Sequence, residues 1–475
     1  MTSRGWRRAL DAVARAPYLP PTLRTILKLN TPRATRPLDR AGSRYDQSNN
    51  AMRRFRDVLF WAHLITGLFV GIVVLIMSVT GVLLTYQRQI TAWADVRRLD
   101  GGPPAPGAEK LPVDVLLARV MEAEAGQPAS IKWHDDPNRP VEVAYGRGRT
   151  LYVNGYTGEV LGSGNAAVRA FFQKVVSWHR WLGAEGEHRA LGRAITGACN
   201  LGFLFLVLSG LYLWIPRNRT RKALRNVMVF RRGLSGKARD FNWHNVIGLW
   251  SAVPLAIVVA SGVVISYPWA SNLVYRLAGE EPPAAGTRGG GGGGAAPRSG
   301  PNGGGAATGP RGEARPLERG EQPPVAVLLA GVDALAERAE SRLPGWRSIT
   351  LQIPGSATDP VAFTIDQGDG GQPQKRAQLV LDRETGEEVR WETFADNSPG
   401  RRARSILRFA HTGEVAGLLG QTIAGLVSAG AVVLVWTGVA LAWRRLMAWL
   451  GRRSRGAGAP AQLAQPSVVA SRSPT

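Results

Sequence analysis

The chain has 475 residues, a formal charge of +24 and one cysteine. Cys199 alone excludes an internal disulfide. The charge could signal nucleic-acid binding, but segments 1–57, 216–244 and 444–475 carry a net +23, whereas 87–193 and 270–418 carry only +1. Such alternation is the positive-inside pattern of a membrane protein, so no nucleic-acid partner is expected.

The spans that impose this pattern are four apolar segments, 58–86, 192–215, 245–269 and 419–443. Each reaches the roughly 20 residues a spanning helix needs. Residues 1–57 are a basic cytoplasmic tail without the apolar core of a cleaved signal, so the first span is expected to be an uncleaved anchor. It runs outward from His63 to Tyr86 into an external segment, 87–190. There, 113–126 has helical spacing, and 131–164 reads as three short strands with turns. The second span returns inward, the basic loop 216–244 follows, and the third runs outward again. Residues 282–323 are rich in Gly and Pro, with six consecutive glycines, and read as a flexible tether. A second external segment, 324–396, holds a helix and then the strands SITLQI, PVAFTID and AQLVLDRETGEEVRWE. The fourth span leads into a cytoplasmic tail, 444–475.

Two offsets tie the halves together. His63, Gly67, Gly81 and Tyr86 recur 181 positions on as His244, Gly248, Gly262 and Tyr267. Thr157–Gly158–Glu159, Gly192 and Gly210 recur 228 positions on as Thr385–Gly386–Glu387, Gly420 and Gly438. The chain reads as a duplication of helix, external domain and helix. An even number of spans per half makes the repeats parallel, with a pseudo-two-fold along the membrane normal.

Together HLITGLFVGIVVLIMSVTGVLL, HNVIGLWSAVPLAIVVASGVVIS, LGRAITGACNLGFLFLVLSGLYLWIPR, VNGYTGEVLG and LDRETGEEV carry a family resemblance. Over about 55–445 the chain resembles the PepSY-associated transmembrane helix family, which includes iron-regulated membrane proteins and ferric-siderophore reductases. The resemblance implies a mainly α membrane protein: four transmembrane helices as two parallel repeats, with two small α+β PepSY-like periplasmic domains. It places the chain in a bacterial inner membrane, multi-pass, with both termini cytoplasmic.

Five of the six histidines lie near spans. His63 and His244 share one depth near the cytoplasmic face, on opposite sides of the expected axis. Two imidazoles facing each other in apolar surroundings suit the axial positions of a haem iron. An interfacial histidine bonded to a carbonyl is the plainer alternative. On the outer side, His411 precedes Gly420 by 9 residues, His179 precedes Gly192 by 13, and His188 precedes it by 4. If each approach is helical, at about 100° per residue, His179 matches His411 better than His188 does. His179 and His411 are the expected outer pair, His188 the alternate, and His134 a solvated turn residue. Arg180, Arg189 and Arg408 are candidates for haem propionates, while Trp178, Trp181, Trp243 and Trp250 read as an interfacial belt.

No GxGxxG lies between a predicted strand and a helix, and no HExxH, CxxC or P-loop is present, so no dinucleotide site is expected. As the resemblance implies, the expected function is outward electron transfer through haem b, one or two per chain, to ferric iron in a siderophore or other chelate. Electrons would come from a separate donor, a quinol or a cytosolic reductase. Reduction loosens the chelate because its oxygen ligands prefer the harder ferric ion. Two other readings stand beside this one: a non-enzymatic PepSY-type binding or regulatory protein, and a siderophore or metal transporter.

Overall fold

A computed structural model describes residues 40–97, 99, 101–145, 149–216, 220–283, 331–356 and 358–457. Most of the basic tail 1–57, nearly all of the tether 282–323 and the end of the tail 444–475 lie outside the described residues. Residues 40–60 are helical and belong to one compact unit, and the described residues from Trp61 onward belong to the other.

Among the described residues four helices are long and apolar enough to cross a membrane. They are α1 (Arg40–Leu84), α5 (His188–Trp214), α7 (Gly236–Ser266) and α11 (Gly417–Ala457). Each runs past the predicted apolar segment at one end at least, because helical backbone continues into the headgroup region after hydropathy falls. Apolar side chains on these helices stay exposed: Phe69 at 81% and Leu419 at 71%. Surfaces of that kind suit lipid. α7 is the most buried span and packs against both α5 and α11. Leu255 and Val259 of α7 form the tight centre with Val427 and Ala431.

Between α1 and α5 the chain forms α2 (Gln87–Val96), α3 (Val113–Ala123), strands β1 (Pro128–His134), β2 (Val141–Tyr145), β3 (Arg149–Val153), β4 (Val160–Gly162) and helix α4 (Ala166–Trp181). A short helix α6 (Arg221–Met228) precedes α7, and α8 (Pro268–Leu277) follows it. The second half then adds α9 (Val332–Arg342), β5 (Ser348–Gln352), β6 (Val361–Asp366), β7 (Arg376–Leu381), β8 (Glu388–Thr393) and α10 (Pro399–Thr412). Each half thus has four strands where three were expected. In the second, the Thr385–Gly386 turn divides the long predicted strand, with Asp382 Oδ1 accepting from the Thr385 amide at 2.9 Å.

The two strand sets, expected as separate domains, share one antiparallel sheet in the order β4-β3-β2-β1-β5-β6-β7-β8. β1 and β5 pair with Ile131 opposite Leu351 and Trp133 opposite Ile349. Each strand would otherwise be an open edge, with unpaired amides and carbonyls. Both sets also share one core: Ile131, Val143, Ile349 and Phe363 pack with Leu117 of α3 and Leu335 of α9. Strand alternation puts these side chains on the helix-covered face.

Asp95 ties the sheet to the spans. It lies in α2, just after the first span, and is 4% exposed. Arg169 Nη2 of α4 pairs with its Oδ2 at 2.7 Å, Tyr152 of β3 donates to Oδ2 at 3.0 Å, and the Asn165 amide donates to Oδ1 at 2.6 Å. Removing one partner of a buried charge pair typically costs about 3–5 kcal/mol. Asp95→Ala is therefore expected to lower the thermal unfolding midpoint of the purified protein sharply, with Asp95→Asn falling less. Equal midpoints for Asp95→Ala and wild type would contradict this role.

Candidate functional site

Four of the five span-associated histidines occupy matching positions. His63 on α1 has its Nδ1 2.8 Å from Ser209 Oγ on α5. His244 on α7 has its Nδ1 2.9 Å from Thr437 Oγ1 on α11. His179 near the end of α4 has its Nδ1 2.9 Å from Thr80 Oγ1 on α1. His411 near the end of α10 has its Nδ1 2.8 Å from the Val258 carbonyl and 3.4 Å from Ser261 Oγ on α7.

The rings of His179 and His411 face each other with centroids 6.2 Å apart and planes inclined by 58°. Two metal–nitrogen bonds of about 2 Å, plus the ring radii, span a gap of this size. Burial, and then His411, push His179 down to about 4, and burial also lowers His411. Both are neutral near pH 7, the form in which imidazole binds a metal. His63 and His244 are electrostatic neighbours at the other end of the bundle.

His188 is exposed, at the first position of α5, away from this arrangement. The helical approach assumed for the outer histidines does not exist. α4 stops at Leu182, with φ 55°, and the chain turns through Gly183 and Gly186 before α5 begins. α10 stops at Gly413, with φ 77°, and α11 starts four residues later. Two residues of the four-residue mismatch lie in these turns and one at each adjoining helix end, so it is not a rotation around one helix. Both turns press on a helix glycine: a Cβ at Gly192 would lie 2.2 Å from the Trp181 carbonyl, and one at Gly420 2.2 Å from the Gly413 carbonyl.

The outer pair sits among arginines. Burial lowers the Arg180 pKa, and Arg193, Arg408 and Arg189 lower it further. Among the described residues no carboxylate pairs with any of these four. Arg189 Nε and Trp181 Nε1 are buried without a partner, and both Arg180 and Arg189 lie over the Trp181 ring. Arg180, Arg193 and Arg408 are exposed and Arg189 half-buried, a solvated cluster whose N–H groups can donate to an anion. Two facing neutral imidazoles with arginines at hand fit a haem and its propionates. Sequence reasoning missed Arg193, which the apolar count had absorbed into the second span.

His134 belongs elsewhere. Trp-His-Asp-Asp reads as a turn, but β1 runs through His134 and the turn starts at Asp135. His134 is 5% exposed, its Nε2 lies 3.0 Å from Glu142 Oε1, and Lys132 Nζ donates to the same oxygen at 3.3 Å.

The family model for the PepSY-associated TM region matches residues 60–445. This chain belongs to that family, a family of membrane proteins. No curated protein matches it.

The His134–Glu142 pair sets a pH dependence. Burial raises the Glu142 pKa, but Lys132 and His134 outweigh it and hold the carboxyl down at about 2 against 4.5. Its stabilisation is complete above 4.5 and is lost as pH falls toward 2, about 3 kcal/mol at 1.36 per unit. Burial also lowers His134 below 6.5, so the unfolded chain takes that proton first. Acidification below 6.5 therefore favours unfolding as well. Unfolding midpoints measured from pH 7 downward are expected to fall in both ranges, and Glu142→Gln is expected to flatten the fall below 4.5.

Proposed function

We propose that the protein holds two haems, one at His63 and His244 and one at His179 and His411. It uses them to carry electrons outward across a bacterial inner membrane to ferric iron, bound in a siderophore or another oxygen-rich chelate. The observation that carries this reading is the pair His179–His411, neutral, half-buried and with ring centroids 6.2 Å apart, beside four arginines that no carboxylate among the described residues pairs with. Haem bound there would supply one-electron transfer.

The chain's own residues do the rest. The imidazoles hold the iron through nitrogen. The arginines Arg180, Arg189, Arg193 and Arg408 would pair with the propionates. All four rings are half-buried between helices. His63 and Thr80 are 17 residues apart on α1, as are His244 and Ser261 on α7, a rise of about 26 Å. That nearly matches the roughly 30 Å of a bilayer's hydrocarbon, so the two places lie toward opposite faces. The positive-inside charge puts the His63–His244 end at the cytoplasmic side. There a quinol or a cytosolic reductase delivers electrons. One electron converts each ferric ion to ferrous, and the chelate then releases it.

Purified from haem-replete cells, the protein is expected to show the reduced-state bands of low-spin b-type haem. His63→Ala, His244→Ala, His179→Ala and His411→Ala should each remove about half of the signal, and His188→Ala should leave it intact. Ferric-chelate reduction by prereduced protein should fall with the loss of either pair. A folded but colourless wild-type preparation would overturn the reading in favour of a binding or regulatory protein.

A further inference from the structure

Each of the four histidines abuts a Ser/Thr–Gly dipeptide on a neighbouring helix. The dipeptides are Ser209–Gly210 for His63, Thr437–Gly438 for His244, Thr80–Gly81 for His179 and Ser261–Gly262 for His411. Gly210 and Gly262 make room for the rings, and Gly438 and Gly81 lie at ordinary contact range. A Cβ would come within 3.3 Å of His63 Cε1 at Gly210, 3.4 Å of His244 at Gly438, 3.7 Å of His179 at Gly81 and 3.1 Å of His411 at Gly262.

The hydroxyls have a fixed role because their protons are already committed. Ser209 donates to the Phe205 carbonyl at 2.6 Å, Thr437 to Val433 at 2.7 Å and Thr80 to Ile76 at 2.7 Å. Ser261 donates to Val258 at 2.8 Å. A hydroxyl has one proton. Toward the ring nitrogen it can therefore only accept, and Nδ1 must carry the hydrogen. His411 reaches the same state by a second route, since the Val258 carbonyl it meets is an acceptor only. With Nδ1 protonated in a neutral ring, the lone pair sits on Nε2.

We infer that Thr80, Ser209, Ser261 and Thr437 are positioning residues that lock each histidine in its Nδ1–H tautomer and present Nε2 to the iron. This rests on the haem reading above. A ligand histidine that donates its second N–H becomes more basic, and loss of such a partner typically weakens metal binding 10–100-fold. A more basic ligand favours the ferric state, so removing the acceptor raises the midpoint potential.

The test uses the full-length chain carrying Ser209→Ala or Thr437→Val, each with a conservative control, Ser209→Thr or Thr437→Ser. The hydroxyl-free variants are expected to keep a low-spin spectrum, to shift the potential of the His63–His244 haem upward and to release haem at least 10-fold more readily. The conservative variants should restore both. In haem-depleted protein, nitrogen-15 NMR of labelled histidine is expected to show Nδ1 protonated in wild type and a mixed population at His63 in Ser209→Ala. Unchanged potential and unchanged tautomer in the hydroxyl-free variants would overturn the inference. A wild-type preparation without haem would overturn the functional reading, and the NMR arm would still decide on the tautomer.

Discussion

A histidine N–H inside an apolar helix bundle must find an acceptor, because an unpaired polar group there costs several kcal/mol. This constraint organises the membrane part of the molecule. Helical hydroxyls relay the demand: each passes its own proton to a carbonyl about one turn back and offers a lone pair outward. The ring then sits directly against the helix that carries the hydroxyl, beside a glycine whose Cβ would crowd it at Gly210 and Gly262. Helix pairing, ring tautomer and residue identity are all consequences of the same bond. It couples α1 to α5, α7 to α11, α4 to α1 and α10 to α7.

The outer face is held by a second coupling. The eight-stranded sheet joins the two halves at β1 and β5, so the helices that enter and leave each half share one rigid platform. α4 and α10, which carry His179 and His411, connect this platform to α5 and α11. Asp95 fixes α4 and β3 to the exit of α1 through Arg169 and Tyr152. The separation of the outer imidazoles is therefore set from both sides, by the platform above and by the hydroxyl–glycine steps of α1 and α7 below.

Much of this was legible in the sequence, and the gaps have physical causes. The spans followed from hydropathy, since a bilayer imposes length on any apolar helix. The matched depth of His63 and His244 followed from the 181-residue offset. The outer histidines were harder, because a helical wheel presumes an unbroken helix and Leu182 ends α4 in a left-handed turn. His134 was misread because the residues after it are turn formers, and strand pairing with β5 overrode them. The single sheet was hidden for a similar reason: β1 and β5 are more than 200 residues apart, and nothing local marks an edge as paired. The four Ser/Thr–Gly dipeptides stand in plain view as letters. Their meaning needs the partner helix, since Thr-Gly and Ser-Gly are common in spans for packing alone.

The proposed electron path requires two places in each chain to hold haem. Haem extracted and quantified per chain from the purified wild-type protein addresses that count. Two per chain, falling to one in His244→Ala and to one in His411→Ala, is the predicted result. A well-folded wild-type chain that holds none, from cells with ample haem, would contradict it.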